Sequence, residues 1–437
     1  MNILFIGDFR PAANYGSIAT TECLLNMVYP LLSSKDELRI IDRRSYDRQT
    51  PASGFKSDKV PIYKRIARKI LPQKIRALLN RQSYFNPTCI EDFRKKEHIP
   101  ILYVEFPWYT SKILSLKNSY EKNLLEWADF VLINGEGTIV KGTNRYGVYN
   151  RGGRYTIWMA YLAKEIFYKP TCLVNMTVDP GNLDAMEMIK GVFPNVDYLT
   201  TREPLSNIKL IENNINNGIY VPDALFSYKP KNDWEPTAYL LSIIDFSKPY
   251  IVLGDSTALN RNLFQDAVKW DIVTTYTTLY LKLKSVFQQV VFLDGFNGKN
   301  KSINRFIRRN NIRPIRLCNT TYHDLYHVFE HSSLFISGRW HASILASLSG
   351  TPILLYGADS HKTKALYTIL DYPYPFFETQ TLPLHVDKII ENSINITKDE
   401  WIRKHIKEKV EKLSVESLKN VENLRQYIKH KEYSIQE

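Results

Sequence analysis

Cysteine is scarce in this sequence of 437 residues: four of them, Cys23, Cys89, Cys172 and Cys318, stand far apart with no C-x-x-C spacing. That pattern argues against a disulfide scaffold or a zinc ribbon and fits reduced thiols in a cytosolic protein. No apolar run approaches the ~20 residues that a membrane-spanning helix needs. The opening Met1-Asn2-Ile3-Leu4-Phe5-Ile6-Gly7 has neither a basic start nor a long apolar centre, so it predicts a first β-strand and not a secretion signal. No nucleic-acid-binding module is recognisable, and most aromatic residues fall inside periodic apolar runs where packing accounts for them. Acidic residues number 45 against 58 basic ones, a net charge of +13, which points to anionic partners such as phospholipid or phosphorylated metabolites.

What the chain does have is enough apolar material, 44% of its residues, for two cores of ordinary size. Strand-like runs alternate with helical periodicity from Asn2 to Ala224. The stretch Tyr228 to Pro236 has the composition of an interdomain linker, and a second βα series begins at Tyr250. The predicted domains are 1–230, carrying a basic helical insertion at about 43–98, and 237–395, followed by a charged amphipathic helix or helix pair over 398–437. In the insertion, Ile62, Ile66 and Ile70 recur every four residues among Lys59, Lys64, Arg65, Arg68 and Lys69. A basic amphipathic helix of that kind either packs on its own domain or lies on an anionic membrane surface.

The most informative stretch runs from Leu334 to Ala346. Apolar residues Leu334 to Ile336 break at Ser337-Gly338 and give way to Ala342, Leu345 and Ala346 at helical spacing, which reads as strand, tight turn, helix. Such turns sit at the carboxyl edge of a parallel sheet, where helix N-termini attract anions. Arg339 offers a planar fork matched to carboxylate or phosphate, and His341 a group that exchanges protons near neutral pH. The plainer alternative pairs Arg339 with a carboxylate and buries His341 as a hydrogen-bonded core residue. A second strand, Gly350 to Tyr356, leads to the loop Ala358 to Lys364, which contains Lys362.

Three further patches share this character. Asn14-Tyr15-Gly16-Ser17 follows the first strand, with Gly16 permitting close backbone approach and Ser17 able to cap the next helix. Phe130 to Asn134 reads as a strand ending at Gly135-Glu136-Gly137-Thr138, where alternate glycines let the backbone close on a ligand. The third glycine of a dinucleotide fingerprint is missing there. Arg202 stands between a strand and a helix begun by Pro204. His323, His327 and His331 lie four apart, a spacing that zinc could use but that an ordinary helix face explains equally well.

The order Gly338-Arg339-Trp340-His341-Ala342, Gly350-Thr351-Pro352 and a downstream Lys resembles the pattern of the polysaccharide pyruvyl transferase family. Asn14 to Ser17, the Gly-Glu-Gly loop at 135–137, Arg202 and the Pro222-Asp223 pair resemble further segments of it, with Glu136 where many members carry glycine. The resemblance implies an α/β fold of two Rossmann-like βα domains facing across a cleft, as in GT-B glycosyltransferases. It implies transfer of a pyruvyl group from phosphoenolpyruvate to two hydroxyls of a sugar in a surface polysaccharide or its lipid-linked precursor. The expected catalytic residues are His341, Arg339 and Arg202. The expected substrate-binding residues are Asn14, Gly16, Ser17, Gly135, Glu136, Gly137 and Lys362. The two guanidinium groups would hold one anionic group of the donor each, and His341 would be the general acid. No metal or cofactor is called for, and the expected location is the cytoplasm at the inner face of the membrane. The alternatives are a nucleotide-sugar glycosyltransferase on the same architecture, or a membrane-peripheral scaffold of a polysaccharide assembly complex.

Overall fold

A computed structural model describes residues 1–10, 15–42, 120–141, 151–181, 183–260 and 268–436. Asn14 and the basic insertion expected at 43–98 lie outside the described residues. The first half builds β1 (Asn2–Asp8), α1 (Tyr15–Val28), β2 (Glu37–Asp42), α2 (Tyr120–Trp127), β3 (Phe130–Val140), α3 (Arg151–Tyr161), β4 (Thr171–Asp179), α4 (Leu183–Val192), β5 (Tyr198–Thr201), α5 (Pro204–Ile211) and β6 (Gly218–Tyr220). The second builds α6 (Ala238–Leu241), β7 (Tyr250–Ser256), α7 (Ile272–Val286), β8 (Gln289–Asp294), α8 (Lys301–Arg309), β9 (Ile315–Arg316), α9 (Tyr322–Glu330), β10 (Phe335–Gly338), α10 (Trp340–Leu348), β11 (Ile353–Leu355), α11 (Lys362–Ile369) and α12 (Val386–Lys398). Two helices, α13 (Glu400–Ser417) and α14 (Glu422–Gln436), end the chain.

The strands form two sheets, β2-β1-β3-β4-β5-β6 and β11-β10-β7-β8-β9, parallel throughout. The near-continuous burial of β1, β4 and β7 is what helices on both faces of a parallel sheet require. Strand order reverses between β1 and β3 in the first sheet and between β7 and β10 in the second. At such switch points the flanking connections diverge and leave a crevice at the carboxyl ends of the strands. Gly7 at the end of β1, Gly16 at the start of α1 and the 135–137 glycines border one crevice. Ser256 and Gly338-Arg339 border the other.

One hydrophobic cluster joins the domains. It runs from Tyr15, Ala19 and Leu24 on α1 through Ala224, Leu225 and Phe226 to Trp340 and Ala342 on α10. A second cluster, including Leu4, Ile133 and Leu173, covers the other face of the first sheet. The terminal helices tie the halves together as well. Ile402, Ile406 and Val410 of α13 pack into the joining cluster, and Asn420 donates to the Pro222 carbonyl at 2.9 Å. The Tyr427 ring of α14 then sits 5.0 Å from Phe130 of β3. No described helix is long and apolar enough to cross a membrane.

Two local expectations are corrected. The 135–137 glycines are not a loop: β3 continues to Val140, and its register against β4 shifts between Glu136 and Ile139. The irregularity centres on Glu136, whose φ of 43° is costly for a residue with a side chain. The stretch after Tyr228 is not a bare linker either. The Tyr228 hydroxyl is 2.8 Å from His323 Nδ1, and Trp234 donates to Asp324 while stacking on His327 at 4.7 Å. His331 closes α9 instead, its Nδ1 2.8 Å from the His327 carbonyl.

Candidate active site

The second domain supplies the turn between β10 and α10. Gly338 is required there because a Cβ would lie 2.5 Å from the Ser256 Cβ and 2.7 Å from the Gly357 carbonyl. Arg339 stands at the N-cap in an extended conformation, and its guanidinium, a donor only, reaches into the crevice. Its Nε donates to Asp255 at the end of β7, and the group lies over the Phe296 ring at 4.3 Å. Gly295 makes this seat: a Cβ there would stand 2.6 Å from Nε. Burial lifts the Asp255 carboxyl above its ordinary range, against the pull of Arg339. Arg339 Nη2 is buried with no hydrogen-bond partner among the described residues. A buried donor of that kind is costly unless something else accepts from it.

His341, in the first turn of α10, crosses the domain boundary. Its Nε2 is 3.2 Å from Arg202 Nη1 and 3.2 Å from Glu136 Oε1. The ring lies against α1, where a Cβ on Gly16 would come within 2.2 Å of its Nδ1. Two helix N-termini from different domains therefore meet at this imidazole, which concentrates positive potential there. Burial depresses the His341 pKa to about 4, although Glu136 and Asp223 act to raise it. At neutral pH the ring is uncharged.

Arg202 is 1% exposed and is held through Nε and Nη1. Its Nε donates to Thr177 at 2.8 Å, and its Nη1 donates to Asp223 at 3.1 Å and lies 3.6 Å from Glu136. The other terminal nitrogen faces Gly137, where a Cβ would stand 2.9 Å away. Asp223 caps the turn Ala224–Ser227 and also accepts from the Trp340 indole at 2.8 Å. A guanidinium this deep needs such compensation. Glu136 accepts from Ser17 at 3.1 Å; burial acts to raise its pKa, but Arg202, His341 and the Gly137 amide hold it down at about 2. Lys362 opens α11, pairs with Asp359 at 2.6 Å and exerts its charge on both Glu136 and His341.

The sequence-predicted residues Gly16, Ser17, Glu136, Gly137, Arg202, His341 and Lys362 thus converge, and Arg339 stands two residues from His341 at the neighbouring crevice. Gly135 is set slightly apart: a Cβ there would meet Met176 at 2.5 Å, so it serves the β3–β4 packing. Ser17 lies inside α1 and is not its cap. Arg202 turns Nη1 to the protein carboxylates and Nη2 to Gly137. One expectation changes: His341 does not titrate near neutrality, because burial outweighs its acidic neighbours.

The sequence reading missed Asp255, Trp340 and a second contact between the domains. In that contact His361 Nε2 is 3.1 Å from Glu203 Oε1 and 3.2 Å from Ser206 Oγ, and its Nδ1 is 3.6 Å from Asp179. A usable signal existed for Asp255: like Asp8, Asp179 and Asp294, it closes or nearly closes an apolar strand run, at the edge where a parallel sheet meets its ligand. Nothing local marks Glu203 and His361 as a pair.

Comparison with solved structures returns sugar transferases and sugar-nucleotide epimerases. The spinosyn rhamnosyltransferase SpnG matches with a TM-score of 0.50 at 10% identity, over 98% of this chain and 100% of that one. A UDP-glucose:anthocyanidin 3-O-glucosyltransferase in complex with UDP matches with a TM-score of 0.50 at 12% identity, over 98% and 99%. The UDP-GlcNAc 2-epimerase of Neisseria meningitidis matches with a TM-score of 0.50 at 14% identity, over 96% and 99%. At such identities the likeness shows the fold, a GT-B-like pair of βα domains. No curated protein sequence matches the chain significantly. The family model for polysaccharide pyruvyl transferase matches residues 14–360, which takes in Gly16, the 135–137 glycines, the Arg202 strand end and the Gly-Arg-x-His turn. The chain belongs to the polysaccharide pyruvyl transferase family, and is a transferase.

Proposed function

We propose that the cleft transfers a pyruvyl group from phosphoenolpyruvate to two hydroxyls of a sugar, in a surface polysaccharide or its lipid-linked precursor, at the cytoplasmic face of the membrane. The observation that carries this reading is the orphaned Nη2 of Arg339, buried two residues from an imidazole that Arg202 and Glu136 fix in place. An anionic donor gives that nitrogen its acceptor, and Lys362 with the N-termini of α10 and α1 supplies further positive potential.

The donor's charge also bears on His341. Negative charge beside a buried imidazole favours its protonated form, so donor binding raises the His341 pKa from about 4 towards the working range of a general acid. The ring then delivers its proton to the methylene carbon of the donor, and C2 becomes electrophilic. A sugar hydroxyl adds to C2 and gives up its proton to the imidazole. Phosphate departs with the C–O electrons into a cationic site. The second hydroxyl closes the ketal, and its proton leaves with phosphate. One donor and one diol become one cyclic ketal and inorganic phosphate, and the balance needs no cofactor. Glu136, ionised throughout, stabilises the imidazolium while Arg202 and Asp223 hold both in register.

The test is phosphate release from phosphoenolpyruvate by the full chain with a panel of oligosaccharide acceptors, the product examined for a ketal carbon by NMR. Acceptor-dependent phosphate release with a new ketal carbon supports the proposal. Transfer of a glycosyl residue from a nucleotide sugar, with phosphoenolpyruvate untouched, overturns it in favour of glycosyl transfer.

A further inference from the structure

Between Asp294 and Asp324 the chain carries no carboxylate side chain. Within that stretch Lys299, Lys301, Arg305, Arg308, Arg309 and Arg313 are all exposed. Among the described residues none of the six makes an ion pair. Four of them fall on α8 at i, i+4, i+7 and i+8, which is one face of the helix. The opposite face, Ile303, Phe306 and Ile307, is buried in the core of the second domain. The helix is held side-on against α7: Phe306 packs on Tyr280 at 5.9 Å and Asn310 donates to Thr277 at 3.0 Å. Its cationic row therefore faces outward as a fixed array.

Large apolar residues protrude beside this row. Leu281, next to Tyr280 on α7, is 53% exposed. Arg313 donates to the Ser242 carbonyl at 3.1 Å, and the adjoining Leu241 is 57% exposed. Cations with protruding leucines at their margins are what a bilayer interface selects: the ammonium and guanidinium groups meet lipid phosphates while leucine enters the acyl boundary. A soluble polyanion would engage the cations but gain nothing from the leucines.

We propose that the α7–α8 flank of the second domain, centred on Arg305, Arg308 and Arg309 with Leu281 and Leu241 at its margins, docks the protein on an anionic phospholipid surface. The flank begins at the cleft. Phe296, which underlies Arg339, precedes Lys299 and Lys301 by only a short turn, so docking brings the cleft mouth towards the headgroups. The proposal does not depend on which reaction the cleft performs.

Co-sedimentation of the full chain with vesicles of phosphatidylcholine, alone or mixed with phosphatidylglycerol, tests it. Binding is expected only to the mixed vesicles and is expected to weaken at high ionic strength. Each cation near such a surface contributes about fivefold to partition at moderate salt. The combined change Arg305→Gln, Arg308→Gln and Arg309→Gln should therefore lower binding on the order of a hundredfold, with thermal stability unchanged. Leu281→Ser should weaken binding by a smaller factor, and α8 amides should gain protection from hydrogen exchange when vesicles are added. Equal binding to phosphatidylcholine alone, unaltered binding of the triple variant, or no protection of α8 would each overturn the proposal. So would capture by dextran sulfate without any vesicle binding, which would assign the flank to a soluble polyanion.

Discussion

Gly16→Ala perturbs the imidazole without touching any ionisable group. The added methyl would stand 2.2 Å from His341 Nδ1, 2.4 Å from Cγ and 2.5 Å from Cβ, where non-bonded carbon contacts settle near ~3.5 Å. The overlap exceeds an ångström, and it falls on the ring and its Cβ together, so a simple rotation does not clear it. Because the methyl belongs to one domain and the ring to the other, relief comes from parting α1 from α10 or from swinging the imidazole aside. Either movement takes Nε2 away from contacts of 3.2 Å with Arg202 and Glu136. A misplacement of about 1 Å costs on the order of 10²-fold in rate, and turnover in the coupled phosphate-release assay should fall by that much. Overpacking of this kind also costs ~1–3 kcal/mol of stability, so turnover is compared at a temperature where denaturant unfolding shows the variant folded. Turnover near the parent level, with the variant folded, would refute the reasoning that His341 must sit where Arg202 and Glu136 hold it.

His341→Ala should lower turnover by at least ~10²-fold, with a smaller change in KM for the donor; steady-state kinetics with near-normal turnover would remove His341 from the mechanism. The pH dependence of stability has a definite sign. His341 has a folded pKa of about 4 against ~6.5 when unfolded, so the unfolded chain binds more protons between these values and stability falls as pH drops through that window. The loss is on the order of 3 kcal/mol, and it should be largely absent from His341→Gln in thermal melts between pH 7 and pH 4. Glu136, depressed to about 2, adds a second loss that begins near its unfolded value of ~4.3 and continues below it. Asp255→Asn strips the half-buried Arg339 of its fully buried charge partner and should cost about 3 kcal/mol in denaturant unfolding; an unaltered unfolding midpoint would show that the pair is not what seats Arg339.

Much of the fold could be read from the sequence, because parallel strands announce themselves as apolar runs and helices by their spacing. The first strand at the opening of the chain and the strand, turn and helix from Leu334 to Ala346 are found as predicted. The Gly-Arg-x-His turn was also legible, since each residue type carries its reason locally: Gly338 for close approach, Arg339 for the edge, His341 for the first turn. What the sequence could not convey was how the site's charges compensate one another. Arg202 was read as a fork open to a ligand, but its Nη1 meets carboxylates from Glu136 on β3 and Asp223 in the turn after β6. His341 was assigned a near-neutral pKa because its burial against Gly16 depends on the docking of two domains. Glu203 and His361 are 158 positions apart, and no local pattern joins them.

Donor binding is the most direct test of the central claim, that the cleft is built around Arg339 and His341 for a small, multiply charged anion. Calorimetric titration of phosphoenolpyruvate and of a set of UDP-sugars into the full chain, and into Arg339→Lys, makes the comparison. The account predicts that phosphoenolpyruvate binds and UDP-sugars do not, and that Arg339→Lys loses most of the affinity because a point charge does not replace a planar fork. Tight binding of a UDP-sugar with no heat from phosphoenolpyruvate, or full donor affinity in Arg339→Lys, would contradict it.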